Sequence, residues 1–330
     1  MKRAAAPLRT TSQHRRQRGA ALLVAMIILT IVTTIAAGMV WQQWRAIQVE
    51  AAERARTQSA WILTGALDWA RLILREDLKP GSYPVAHLGE PWAVPLAEAR
   101  LSSFLAADKN NAADDGGPEA FLSGEISDAN AKYNLSNLLP AADGKPNTVQ
   151  IEAFRKLCEV LSVSGSSADR IVEGLGAAAL GSSDAPIMPR RVEQLAWLGV
   201  DASDVKRLEP QVTLLGGPSQ VNLNTASKEV IAAVTGASLS AAGRLVQSRQ
   251  QEPLTAMDNA ADLLELPRDP PLLRSQLVQV AGIKSNYFEV QGQVRLGDRV
   301  LRERSLVYRA DNREVTVIRR ERVNLLSPGA

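Results

Sequence analysis

Side chains able to do covalent or metal chemistry are few in this sequence and scattered. Cys158 is the only cysteine, so an intramolecular disulfide and a cysteine metal cluster are both excluded. It falls on the apolar face of a helical segment and reads as a core residue. The two histidines, His14 and His87, are too far apart to suggest a metal pair. No Ser-His-Asp or Cys-His constellation is supported, and no Walker A or Rossmann glycine pattern occurs. The acidic stretches "ADKNNAADDGG" and "GSSDAP" offer the carboxylate and carbonyl oxygens that Ca²⁺ prefers, but they read equally well as solvated loops. The chemistry that remains is hydrogen bonding, concentrated in "DANAKYNL" at 128–135 and "VNLNT" at 221–225.

The elements that hold those boxes begin with an apolar run. From Ala20 to Trp41 no Asp, Glu, Lys or Arg occurs. At about 1.5 Å per residue the run covers roughly 33 Å, enough to cross a hydrocarbon core. Lys2, Arg3, Arg9, Arg15, Arg16 and Arg18 precede it, and Arg45 is the first charge after it. That asymmetry predicts a cytoplasmic N-terminus and a body on the far side of the membrane, with Trp41 and Trp44 at the interface. Those six basic residues also set the charge: without them the body holds 32 basic against 35 acidic residues. A general nucleic-acid binder would carry its positive charge in the body.

Apolar residues continue at helical spacing through Trp61, Leu63, Leu67, Trp69, Leu72, Ile73 and Leu74, and "KPGSYP" ends the pattern. Residues 20–79 therefore read as one helix. An anchor followed by a separate amphipathic helix is the competing reading, and a signal peptide cut near Ala37 is another.

A short basic leader ending in glycine, then a long helix with an apolar first half, resembles the type IV pilin and pseudopilin class. The resemblance implies cleavage by a prepilin peptidase between Gly19 and Ala20, with Ala20 the new, methylated terminus. Most members of that class carry Glu at the fifth mature position, where this chain has Val24. The minor pseudopilin K family of the type II secretion system is the branch that lacks this Glu.

The body extends the resemblance. "PLAEARLSSFLAA" is read as a helix among loops, and "FLSGEIS" alternates as a strand. The strand runs into a box similar to one of the K family, here Asp128, Lys132, Tyr133, Asn134 and Leu135. Turn chemistry alone would make it a hairpin. Residues 148–280 read as helices bounded by Gly, Pro and Ser, with Thr225 or Ser227 as the cap of a helix starting near Lys228. The stretch containing Asn222, Asn224 and Thr225 resembles both the second half of the K family's inserted domain and helix-hairpin-helix units. The latter would imply DNA binding, but the turn Gly236-Ala237-Ser238 has a single glycine and the nearby charge is mixed. Three alternating runs, Tyr287–Leu296, Val300–Arg309 and Glu314–Arg320, predict an antiparallel meander needing a helix over its apolar face.

The expected fold is α+β: a type IV pilin-like domain with a long N-terminal transmembrane helix on a small antiparallel sheet, interrupted by an all-α insertion. The expected divisions are a leader 1–19, the transmembrane half 20–41, domain parts 42–147 and 283–330, and the insertion 148–282. The K-family resemblance implies a non-enzymatic inner-membrane protein at the tip of a periplasmic pseudopilus. Its partners would be I- and J-type minor pseudopilins, the major pseudopilin, prepilin peptidase and the inner-membrane assembly platform, with no nucleic acid. The family's calcium is expected in a long Asp-rich loop. Here that loop is short, with Asp184 its only acid, so no calcium ligands are assigned.

Overall fold

The computed structural model describes residues 14–78, 85–102, 119–140, 144–181, 184–266, 272–297 and 299–323. The chain divides into two compact units, 1–58 and 59–330, each treated by itself.

Helix α1, His14–Asp77, is continuous, so the two-helix reading gives way to a single element. Within the first unit its apolar side chains from Leu22 to Val40 are exposed, and a window of mean hydropathy 2.6 meets the length and composition of a membrane span. The hydroxyls of Thr30, Thr33 and Thr34 donate to the carbonyls of Ile27, Leu29 and Thr30 at 2.7–2.8 Å, which satisfies them without water.

In the second unit the last turns of α1 cover one face of an antiparallel sheet. Its strands are β1 (Leu96–Arg100), β2 (Ala120–Asp128), β7 (Tyr287–Leu296), β8 (Arg299–Arg309) and β9 (Val315–Val323), in the order β1-β2-β7-β8-β9. The meander predicted from the three C-terminal runs is present, and β2 joins it through β7, with Ala120 opposite Leu296 and Asp128 opposite Phe288. Period-two alternation puts Phe288, Val290 and Val294 on the helix side, where Leu63, Leu67, Ala70 and Leu74 meet them. Trp92 closes this core edge-on to Phe288, with ring centroids 5.2 Å apart. Gly124 and Gly292 face each other across β2 and β7. A Cβ on Gly124 would lie 2.6 Å from the Gln291 carbonyl oxygen, which is why glycine is needed there.

One expected helix is corrected. Within "PLAEAR", residues Leu96–Arg100 form the edge strand β1, paired with β2 from Leu96↔Gly124 to Arg100↔Phe121. The ladder offered by β2 outweighs the helix propensity of so short a segment. Leu101 and Ser102 of that expected helix are helical, and its remainder lies outside the described residues.

The helical region comprises α2 (Thr148–Val160), α3 (Gly165–Leu180), α4 (Ala202–Leu208), α5 (Lys228–Thr235), α6 (Leu239–Gln251), α7 (Met257–Leu263) and α8 (Leu272–Val280). Ser227, not Thr225, caps α5 by accepting from the Val230 N–H. Val192–Leu198, expected as an α-helix, is a 3-10 helix ended by Gly199 at φ 78°. Gly236, at φ 72°, makes the turn between α5 and α6.

Phe154, Leu157, Ile171, Leu175, Leu195, Leu223, Ile231 and Leu245 share one core, which also takes in Tyr133, Leu135 and Leu138 from the chain entering the region. Two-residue parallel pairs, β3 (Tyr133–Asn134) with β4 (Val212–Thr213) and β5 (Val221–Asn222) with β6 (Ala281–Gly282), stitch its two ends together. The sheet's other face meets this region through a small apolar contact of Ala129, Leu215 and Leu306.

Candidate functional site

The hydrogen-bonding boxes converge where the chain leaves the sheet for the helical region and returns. Asp128 ends β2 and is 5% exposed. Its Oδ1 accepts from the Asn130 N–H at 2.8 Å, so a 3-10 turn, Ala129–Ala131, follows the strand where turn chemistry alone suggested a hairpin. Its Oδ2 accepts from the Ser285 hydroxyl at 2.5 Å, the Thr225 hydroxyl at 2.5 Å and Asn222 Nδ2 at 3.0 Å. Asn222 also faces the Ala86 carbonyl at 2.9 Å and Ser285 Oγ at 2.8 Å. One buried carboxylate thus gathers the strand end, the start of the 221–225 box and the segment leading into β7. Burial pushes the Asp128 carboxyl above its ordinary pKa, although its four donors pull it down.

Around this hub, asparagine side chains grip backbone with both the oxygen and the nitrogen of their amide. Asn130 Oδ1 accepts from the N–H groups of Asn286 and Tyr287 at 3.2 and 2.9 Å, and its Nδ2 donates to the Gln220 carbonyl at 2.9 Å. Asn134 accepts from the N–H groups of Ser136 and Leu215 at 3.0 and 3.2 Å and donates to the Gly217 carbonyl at 2.7 Å. Asn137 holds Ser219 through both its N–H and carbonyl, each at 2.8 Å. Asn224 holds Leu254 in the same way, at 2.9 and 3.0 Å. A buried asparagine used so leaves few polar groups unpaired and fixes two segments at once.

Of the residues singled out in the sequence, Asp128, Asn222 and Thr225 meet directly. Tyr133 stacks on Phe154 at 5.7 Å and donates to the Gln150 carbonyl at 2.8 Å, while Leu135 is fully buried in the helical core. Asn134 and Asn224 act at separate grips. Lys132 does not join the hub: it lines a cleft on the sheet's other face. Gly19, Ala20 and Val24 lie on α1 in the other unit, with Val24 55% exposed.

Sequence reasoning missed Asn130, Asn137 and Ser285, and also the pair Arg309–Asp77. Arg309 Nη1 lies 2.7 Å from Asp77 Oδ2, with exposures of 3% and 9%, and ties the end of α1 to the sheet. Recurrence of Asn within "DANAKYNLSN" was the available signal for the first two. Nothing in the sequence pairs positions 77 and 309.

The buried Cys158 thiol is pushed up to about 12, chiefly by burial, so it stays protonated and unreactive. Among the described residues no three of His, Cys, Asp and Glu come together. Asp184 is an exposed, single carboxylate, and the described residues do not fit a calcium cage. Most of "ADKNNAADDGG" lies outside the described residues.

A long N-terminal helix whose last turns lie on an antiparallel sheet, with its apolar first half uncovered, is the type IV pilin-like fold. The solved structure of a GspK-GspI-GspJ complex from the enterotoxigenic Escherichia coli type 2 secretion system matches with a TM-score of 0.65 at 19% identity, covering 83% of this chain and 98% of that one. In sequence, the family model for type II secretion system protein K matches residues 221–278, which contain Asn222, Asn224 and Thr225. Protein K of Pseudomonas aeruginosa is 28% identical over 86% of either chain. Protein K of Pectobacterium carotovorum is 27% identical over 93% of this chain and 96% of its own, and that of Dickeya chrysanthemi 26% over 93% and 97%. In sequence and in fold the chain is similar to type II secretion system protein K over most of its length.

Proposed function

We propose that this protein is the K-type minor pseudopilin at the tip of a periplasmic pseudopilus, where it helps start assembly for export of folded proteins. The observation that carries the reading is the combination of a pilin-like helix-on-sheet unit with a large helical region pinned to it at Asp128. A pilin stacks through repeated α1 contacts, and so large an addition obstructs further stacking above it.

In this reading residues 1–19 are a leader removed between Gly19 and Ala20, and 20–41 anchor the chain in the inner membrane. The N-terminus is cytoplasmic and the body periplasmic, as the charge asymmetry favours. Residues 42–147 and 283–330 form the pseudopilin domain and 148–282 the insertion, whose core borrows Tyr133, Leu135 and Leu138. Val24 removes the carboxylate that would otherwise pair with a neighbour's amine, consistent with a terminal subunit. The role is structural rather than catalytic.

I- and J-type minor pseudopilins are the proposed partners, as in the complex the solved relative comes from. The major pseudopilin, prepilin peptidase and the assembly platform would be met in sequence. Helix-hairpin-helix DNA binding has no support: the matched family is a secretion family, and the α5–α6 turn has one glycine beside mixed charges. Calcium remains a proposal without ligands, testable by calorimetry on the full chain. The test of the main reading is co-purification with I- and J-type subunits from detergent extracts. A stable complex with both supports it, and failure to capture either one, with the chain folded, refutes it.

A further inference from the structure

Beyond the hub, the helical region touches the sheet lightly. Leu215 meets Leu306 in the small apolar contact that includes Ala129, next to Asp128. Farther out, two polar contacts join the region to β9 among the described residues. Arg191 Nε is 3.0 Å from Glu321 Oε1, and Arg319 Nη1 donates to the Arg190 carbonyl at 2.7 Å. Glu321 also holds Arg319, at 2.9 Å. A cleft of ≈ 710 Å³ separates the two surfaces, with Gln291 and Arg304 on the sheet side and Glu193 and Glu209 on the other.

Water serves such side chains about as well as protein does, so little apolar burial resists a change in the width of the cleft. The two outer contacts are weak for a related reason. The Arg191 and Arg319 side chains are 52% and 31% exposed, so solvent and salt screen them. The hub is the opposite case. Asp128, Asn130, Asn222 and Ser285 are buried and all are hydrogen-bonded, so parting them would strand polar groups away from water. A firm joint at one end and an exposed polar fastening at the other are the parts of a hinge with a catch.

We propose that the loop at 190–191 is a latch on β9, and that the helical region swings about the Asp128 joint between the latched position and one with a wider cleft. The motion keeps the hydrogen bonds of the joint and breaks the two outer contacts. The inference does not rest on the pseudopilin reading.

The experiment measures, by pulsed electron spin resonance, the distance between nitroxides on Glu173→Cys and Thr316→Cys in the full chain in nonionic micelles. Both positions are exposed, one on α3 and one on β9, while Cys158 is buried and stays unlabelled. Two distance populations are expected, and Arg319→Gln with Glu321→Gln should enrich the longer one about fivefold. Salt at about 1 M, where the screening length is about 3 Å, should act in the same direction. Glu125→Gln, exposed on β2, should leave the ratio unchanged. Amide exchange of β7 and β8 checks that each variant folds; if the double variant does not, Arg191→Gln replaces it. A single distance in every sample, a ratio unmoved by loss of the latch, or an equal shift with Glu125→Gln would overturn the proposal. So would loss of amide protection at Asn130 and Asn224 in the double variant, because the region would then be detaching at the hub and not swinging about it.

Discussion

Replacing Arg309 by Met tests how the end of α1 is fastened to the sheet. The guanidinium is buried and has four partners. It pairs with Asp77 at 2.7 Å, donates to the carbonyls of Leu74 at 3.3 Å and Ser285 at 3.2 Å, and lies 4.6 Å from the Phe288 ring centroid. Methionine keeps much of the volume and removes every one of these. Removing one partner of a buried ion pair strands the other charge, a loss of about 3–5 kcal/mol. The two carbonyls and the ring contact add roughly 1 kcal/mol each at most, and these terms overlap. A loss of about 4 kcal/mol is therefore expected for Arg309→Met. Asp77→Asn with Arg309→Met should recover about 2 kcal/mol, because the stranded carboxylate is gone. Native-state amide exchange of β7 and β8 in the full chain, in micelles, reads both numbers. A loss under about 1 kcal/mol for Arg309→Met, or no coupling with Asp77, would refute the argument that this pair is a buried fastening.

Three further outcomes follow from the same physical reasoning. Asp128→Ala should cost about 3 kcal/mol in unfolding experiments, because Asn222, Thr225 and Ser285 lose their shared acceptor inside the protein. The sign of its pH dependence is fixed by the raised pKa. The stability that Asp128 contributes is fully present below the ordinary carboxylate value and is lost as pH rises through the raised one, and Asp128→Asn should flatten that slope. Gly124→Ala should destabilise the sheet by about 1–3 kcal/mol by thermal unfolding, since its Cβ would press on the Gln291 carbonyl. Val24→Glu should leave this subunit terminal, because the helical region still obstructs stacking, and cysteine crosslinking that found subunits above the variant would count against that region as the reason the filament ends.

Local patterns were readable in the residue order; long-range polar pairings were not. The period-two runs of β7, β8 and β9 gave strands within a few residues, because alternation alone decides which side chains meet α1. Segments without such a period went wrong or unseen. Leu96–Arg100 has helix-forming residues and becomes a strand because β2 offers an unpaired edge. The two-residue pairs β3–β4 and β5–β6 are too short to leave a pattern. The boxes at 128–135 and 221–225 were visible as clusters of Asp and Asn, yet the fact that Asp128 meets Asn222, 94 positions away, and Ser285, 157 away, is set by topology. Thr225 illustrates the same limit: local capping rules offered it to α5, and the tertiary structure gives it to Asp128.

The central claim, that this is a processed pilin-like subunit, is tested most directly by the intact mass of the chain extracted from membranes of cells that contain prepilin peptidase. The account predicts loss of residues 1–19, leaving Ala20 as the first residue with a methylated amine. A mass corresponding to loss of about 37 residues, as an ordinary signal peptide would give, or to the uncut chain, would contradict it.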